Sequence, residues 1–443
     1  MDRMLEQGLR QWKKNPTHYP LLLRGARQVG KTYLVEKFGK REFESTVSVN
    51  FEAQPEAIAC FETLDPIQIC SRLERILDTP ILPGKTLLFL DEIQACPKAI
   101  VALRYFKEKL QSLHVIGAGS LMEFALINGK FSFPVGRVQF LYLKPLSFEE
   151  YLSARGKSGL LEQLTSCKIR KPPSPNLHLE MLQLVKEYFL TGGMPAAVAK
   201  YCQTESLYEC AQIQDILLST YRADFSKYAT EAEQKYLRIL FDGLPQTIGQ
   251  QFKYSKIDAH IRSRELKYAL EQLEWAGLFR PIYASSAAGI PLSSQLKRSM
   301  FKTLFLDIGL LQRALQLDPE TIWKEDLIQI NAGALAEQFV GQELLAYSDP
   351  HREEQLFYWQ REKTGSEAEV DYLLTIGRHI IPVEVKSGPR GKLKSLHQFM
   401  EEKASKIGIR ISQAPLSFDN GILSIPLYLI VHLPRIAQEA LEI

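Results

Sequence analysis

Gly25-Ala26-Arg27-Gln28-Val29-Gly30-Lys31-Thr32 is the stretch whose reading decides the fold. It fits the pattern G-x-x-x-x-G-K-[ST], in which each part has a task. Gly25 and Gly30 permit backbone angles that turn successive N–H groups, those of residues 26–29 among them, toward phosphate oxygens. The helix expected next offers its positive N-terminus to the same anion. Lys31 is placed to reach the β- and γ-phosphates, and Thr32 to put its hydroxyl on Mg²⁺. The flanks agree. Pro20-Leu-Leu-Leu-Arg24 is an apolar run of buried-strand type that stops at a glycine, and Thr32 to Phe38 reads as helix. ATP and Mg²⁺ are the expected ligands.

Further strands follow. Val47 to Phe51 is one, and Thr86 to Leu90 is a second that ends in Asp91 and Glu92. On a strand beside the phosphate-loop strand, Asp91 would organise Mg²⁺ and Glu92 would polarise water. Leu113 to Gly117 is another strand, and Ser120 at its end sits where a side chain can sense the γ-phosphate; a plain turn serine is the other reading. Leu5, Leu9 and Trp12 share one helical face, which predicts an amphipathic helix over residues 2–14. Strands alternating with helices imply a parallel sheet wrapped by helices, running to about Leu152.

The bulk numbers bound the rest. With 443 residues the chain exceeds one hydrophobic core, so two to four domains are expected. Hydrophobic content of 45% and charged content of 24% are those of an ordinary globular protein. A net charge of +3 neither demands nor excludes nucleic acid. The six cysteines include no CxxC pair, which argues against zinc and a disulfide framework and fits a reducing cytoplasm. Met1-Asp-Arg-Met-Leu-Glu-Gln7 lacks the apolar run of a signal peptide, and no segment has the length to span a bilayer, so no membrane partner is expected.

Residues 18–150 resemble the AAA-type ATPases found beside a C-terminal domain of unknown function in bacteria and archaea. The matching stretches are Leu22 to Thr32, Phe89-Leu-Asp-Glu-Ile-Gln94, Gly119-Ser120, Gly136-Arg137-Val138, Pro145-Leu-Ser-Phe-Glu-Glu-Tyr151 and Thr191-Gly-Gly-Met-Pro195. The resemblance implies ATP binding and hydrolysis. It also makes Arg137 a candidate γ-phosphate contact, acting on a neighbouring subunit of a homo-oligomer; a salt-bridged surface arginine is the alternative.

Beyond this core, Gly156, Gly159 and Lys171-Pro-Pro-Ser-Pro175 read as linker, helical periodicity returns at 179–200 with an interruption at Thr191-Gly-Gly-Met-Pro195, and residues 205–280 are dominated by helical patterns. Tyr236 to Phe241, Ser255 to Ile261 and Ser263 to Trp275 form three expected helices. The following Pro281-Ile-Tyr283 resembles the helix-to-wing passage of a winged-helix domain. Arg262, Arg264 and Lys267 lie near the start of the third helix, where a recognition helix meets DNA. Winged helices serve equally as protein-docking modules.

The last third carries Glu337 in a helical stretch, Asp371 at the start of a strand, and Glu384 with Lys386 on the next strand. Alternation puts Glu384 and Lys386 on one face. Two carboxylates on adjacent strands can hold a hard cation that activates water. The arrangement resembles the PD-(D/E)xK nuclease superfamily, with Asp371…Glu384-x-Lys386 as core and Glu337 as the helix acid. Lys386, Arg390, Lys392 and Lys394 would suit a phosphate backbone.

The expected fold class is α/β, with an AAA-type P-loop sheet, a helical and winged-helix middle region and an α/β nuclease-like end. The expected domains are 1–155, a helical lid at 156–230, the winged helix at 231–310 and the nuclease-like domain at 311–443. Double-stranded DNA is the expected partner. The competing expectation is an ATP-dependent switch whose C-terminal half binds a protein and cuts nothing.

Overall fold

Leu21, Leu22 and Leu23 are fully buried because β1 (Leu21–Arg24) lies inside a five-stranded sheet. The computed structural model describes residues 1–128, 133–318, 332–361, 368–388 and 392–443. They form two units. The first comprises residues 1–144, 272–278 and 349–353; the second comprises 145–271, 279–348 and 354–443.

In the first unit, β1 is joined by β2 (Ser45–Asn50), β3 (Thr86–Asp91), β4 (His114–Ala118) and β5 (Gln139–Tyr142). The order is β2-β3-β4-β1-β5 and every pairing is parallel. Both faces are covered, which is why β3 and β4 are buried from end to end and read as unbroken apolar runs. The helices are α1 (Leu5–Lys14), α2 (Lys31–Glu42), α3 (Pro66–Leu77), α4 (Pro97–Lys109) and α5 (Met122–Asn128). α3 and α4 each begin with a proline, whose missing N–H costs nothing in a first turn. One expectation needs correction: β3 is not beside β1. β4 lies between them, so the acidic strand end and the phosphate loop flank the end of β4.

The second unit opens with α6 (Phe148–Ala154), α7 (Ser158–Thr165), α8 (Pro175–Thr191), α9 (Pro195–Thr204) and α10 (Leu207–Asp224). The stretch read as linker therefore contains a helix, α7, which buries Leu164. Thr191-Gly-Gly-Met-Pro195 is a joint. α8 ends at Thr191, Gly192 has φ +66°, and Pro195 starts α9. Gly193 N–H donates to Asp307 Oδ2 at 2.6 Å, and a Cβ on Gly192 would collide with the same carboxylate. Glycines are needed here because a buried acid from a distant segment closes the turn.

Next come α11 (Glu231–Gly243), α12 (Tyr254–Ile257) and α13 (Ser263–Trp275), whose last residues belong to the first unit. Leu266, Leu270 and Leu273 are buried, and Arg262, Arg264 and Lys267 are exposed. The hairpin that follows, β6 (Phe279–Ser285) and β7 (Leu296–Phe305), is not a free wing. β6 also pairs in parallel with β8 (Leu356–Gln360). After β7 come α14 (Ile308–Ala314) and α15 (Ala332–Ala346). The sheet continues through β9 (Glu369–Ile376), β10 (His379–Val385), β11 (Gly408–Ser412), β12 (Ser417–Asp419) and β13 (Ile422–Pro426), with α16 (Lys394–Lys403) and α17 (Leu433–Glu442). The eight strands run β12-β13-β11-β10-β9-β8-β6-β7. Among the described residues no helix is long and apolar enough to cross a membrane.

Candidate functional site

The phosphate loop connects β1 to α2 through three residues with positive φ: Gly25 (+147°), Gln28 (+66°) and Gly30 (+94°). At Gly25 a Cβ would strike the Leu143 carbonyl oxygen just past β5, so only glycine fits. Gly30 caps α2 in the left-handed region, aiming the helix's free N–H groups at the loop. Lys31 is buried, and its ammonium donates to the carbonyls of Gly25 and Ala26, both at 2.8 Å. Burial pushes its pKa down to about 8, against the pull of Glu92 and Asp91. Among the described residues no carboxylate forms a salt bridge with that amine, and a phosphate would supply a counter-charge.

Thr32 Oγ1 donates to Asp91 Oδ2 at 2.9 Å, across the end of β4. Burial raises the Asp91 carboxyl, and the Thr32 hydrogen bond opposes the shift. Glu92 follows with φ +48°, and Gln94 Nε2 donates to its Oε2 at 2.7 Å. Gly119 leaves room for the Gln94 amide, which a Cβ there would hit. Ser120 is buried two residues beyond β4. Arg137 is exposed, and its Nε meets Glu108 Oε1 at 3.1 Å, an oxygen that Arg104 also meets at 3.0 Å. Sequence reasoning missed Gly277. With φ +72° it packs against Ala26 so tightly that a Cβ would lie 3.3 Å from the Ala26 Cβ. Its only local signal is a glycine closing the pattern of α13.

Two of the candidate acids of the second unit, Glu337 and Asp371, meet with Glu369 at a lysine that was not anticipated. Lys302 of β7 is 2% exposed and places its ammonium 2.5 Å from Glu369 Oε1, 3.2 Å from Glu337 Oε2 and 3.6 Å from Asp371 Oδ1. Asp371 Oδ2 accepts from Val385 N–H at 2.8 Å, which ties β9 to β10. Beside it, Glu384 Oε1 takes the Lys386 ammonium at 2.6 Å, while Glu384 Oε2 is buried without a hydrogen-bond partner among the described residues. Burial raises Glu337 to about 8, with the Asp371 charge adding and Lys302 opposing. Burial and the Asp371 charge likewise raise Glu384 to about 7. Burial works against the Lys302 charge, but Glu337, Asp371 and Glu369 outweigh it and hold its pKa well above the ordinary lysine value. Of the basic run, Lys392 and Lys394 are exposed and Arg390 lies outside the described residues.

The first unit thus has the fold and loop of an AAA-type P-loop domain. Residues 17–152 match the family described as an AAA domain. Residues 182–321 match a domain of unknown function (DUF8612), and residues 332–430 match another (DUF4143). No curated protein matches the chain. Similar solved structures include the Walker-type ATPase PABY2304 of Pyrococcus abyssi, 16% identical, TM-score 0.45, covering 71% of this chain and 95% of that one. The Aeropyrum pernix ORC1 protein in complex with DNA is 15% identical, TM-score 0.30, covering 72% and 94%. The STAND protein PH0952 of Pyrococcus horikoshii, with a tetratricopeptide repeat sensor, is 14% identical, TM-score 0.25, covering 77% and 48%. These are distant likenesses from which no activity follows.

Proposed function

We propose that the chain binds and hydrolyses ATP with Mg²⁺ in its first unit, and that the nucleotide state governs a nuclease-like second unit that engages double-stranded DNA. The observation that carries the reading is the pairing of Thr32 Oγ1 with Asp91 at 2.9 Å beside a buried Lys31 ammonium held by loop carbonyls. The residues fit Mg-nucleotide. The N–H groups of residues 26–30 and the Lys31 ammonium would bind the phosphates, and Thr32 and Asp91 would hold the ion. Bound Mg²⁺ would offset phosphate charge. Glu92 would take a proton from the attacking water, and the Gln94 amide fixes its carboxylate. Ser120 would sense the γ-phosphate. Arg137, on the surface, would act on the site of a second copy in a homo-oligomer. The exposed Arg262, Arg264 and Lys267 supply the basic face for DNA.

The test is steady-state ATP hydrolysis by the wild-type chain, Lys31→Ala and Glu92→Gln, with and without double-stranded DNA. Wild type should turn over, and Glu92→Gln should lose about 10²-fold or more, the usual worth of a positioned base. Lys31→Ala should lose nucleotide affinity as well. DNA should change the wild-type rate. Equal hydrolysis by all three proteins would overturn the assignment.

One observation favours a second reading, a switch whose C-terminal half binds a protein and cuts nothing: the carboxylates of the nuclease-like sheet already hold the Lys302 ammonium. Mg²⁺-dependent nicking abolished by Asp371→Ala would remove this alternative.

A further inference from the structure

We infer that Lys302 is the resident counter-cation of the second unit's carboxylate cluster, and that it keeps a divalent metal out of it. The residues do not fit a metal as they stand. Glu337 comes from α15, while Glu369 and Asp371 come from β9, two residues apart and so on one face of the strand. All three reach a common point, and the group at that point is the Lys302 nitrogen, at 2.5, 3.2 and 3.6 Å. The contacts to Glu369 at 2.5 Å and Glu337 at 3.2 Å are within hydrogen-bonding distance of an ammonium, and Asp371 at 3.6 Å completes the group as an ion pair. A divalent ion would need the same oxygens at about 2.0–2.6 Å, with the ammonium gone.

Nothing about Lys302 resembles a mobile surface lysine. It is 2% exposed, opens the buried end of β7 (Lys302–Phe305), and its nitrogen lies 5.4 Å from the centre of the Tyr358 ring. The remaining acid is served at one oxygen, since Glu384 Oε1 holds Lys386, while its buried Oε2 has no hydrogen-bond partner among the described residues. Among the described residues no group of three or more histidines, cysteines, aspartates and glutamates is arranged to hold a metal ion. The cluster thus works as a clasp. One ammonium from β7 fastens α15 to β9, and Tyr372 of β9 reinforces it by donating to the Glu337 backbone carbonyl at 2.7 Å. A nuclease-like sheet closed in this way can present a surface to nucleic acid or protein, but it lacks the metal position that would activate water.

The inference is independent of the ATPase assignment and decides whether the second unit can use a metal to cut nucleic acid. The experiment is Mn²⁺ binding to the full, nucleotide-free chain, read from the electron paramagnetic resonance signal of free Mn²⁺. Four proteins are compared: wild type, Asp371→Asn, Lys302→Met and the double variant. Wild type and Asp371→Asn should bind Mn²⁺ identically. Lys302→Met should gain one site, and the double variant should lack it. An Mn²⁺ ion bound by wild type and lost in Asp371→Asn overturns the inference. So does a folded Lys302→Met that gains no site. If Lys302→Met does not fold, the comparison of wild type with Asp371→Asn, repeated with Glu369→Gln, decides alone: an ion lost in either variant overturns the inference, and identical binding supports it. ATP hydrolysis, tested separately through Lys31→Ala, stands or falls apart from these outcomes.

Discussion

Gly25 and Gly84 share a positive φ, +147° and +80°, but differ in surroundings: a Cβ on Gly84 meets nothing within 4 Å, whereas one on Gly25 meets the Leu143 carbonyl. The pair separates backbone strain from steric exclusion. Gly84→Ala should cost about 1–2 kcal/mol by chemical denaturation, the price of a left-handed alanine, and leave nucleotide affinity alone. Gly25→Ala adds the collision and should displace the loop, so binding of a fluorescent ATP analogue should fall at least roughly tenfold. Equal affinities for the two variants would show that the loop tolerates the displacement. At this scale the sequence was legible wherever function depends on adjacent residues. The loop glycines, Lys31, Thr32 and the Asp91-Glu92 pair are recognised by neighbours in the chain. Lys302 was not, because its meaning depends on Glu337, Glu369 and Asp371, which only folding brings to it. Gly277 was missed for the same reason.

Helix α1 shows how an element takes its pH dependence from what it rests on. Leu5, Leu9 and Trp12 are buried, and the Trp12 indole donates to the Tyr19 carbonyl at 2.7 Å. Its ring meets His18 and His114 edge-on, and the two imidazoles stack 3.9 Å apart. Burial, the His18 ring and the Lys13 charge push His114 down to about 4, and burial also lowers His18. The sign follows. Above the ordinary value of 6.5 both states are neutral and the pair has no effect. As pH falls from 6.5 toward 4, the unfolded chain takes up protons that the folded one refuses, so stability declines. Hydrogen exchange in a peptide covering residues 1–18 should therefore accelerate at pH 5 beyond the intrinsic rate change, and His114→Phe should reduce the effect. An unchanged protection factor between pH 7 and pH 5 would refute it. The elements themselves were largely foreseen, since local periodicity marks α1 and the buried strands. Pro281-Ile-Tyr283 was read as the passage into a wing because nothing near residue 282 announces the partner of Ile282, Leu356. Pairings across such separations leave no local trace.

Across the molecule, pH responses of opposite sign are built in, because Glu343 of the second unit is a buried acid whereas α1 rests on buried imidazoles. Glu343 of α15 is fully buried, and both its oxygens accept from the Phe148 N–H at 3.1 Å, at the start of α6. Burial raises it to about 8 from an ordinary 4.5, with Tyr347 and Phe148 opposing and Glu150 and Glu149 adding. Burial likewise raises Asp307, which closes the joint at Gly193, to about 6. Below pH 4.5 Glu343 is protonated in both states and contributes no difference. Between 4.5 and about 8 the folded unit keeps a proton that the unfolded chain has released, so stability falls as pH rises. Glu343→Gln keeps an acceptor for Phe148 and removes the titration. It should flatten the slope between pH 6 and 8 and recover roughly 1–2 kcal/mol at pH 8, read by hydrogen exchange in peptides covering residues 145–155. The same variant should leave the acid sensitivity of residues 1–18 as it was, since that arises in the histidine stack. A pH slope unchanged by Glu343→Gln would mean that this acid is ionised in the folded protein, with its charge carried by Phe148 N–H and Tyr347. The alkaline weakness of the second unit would then have to come from other raised acids such as Asp307, Glu337 or Glu384.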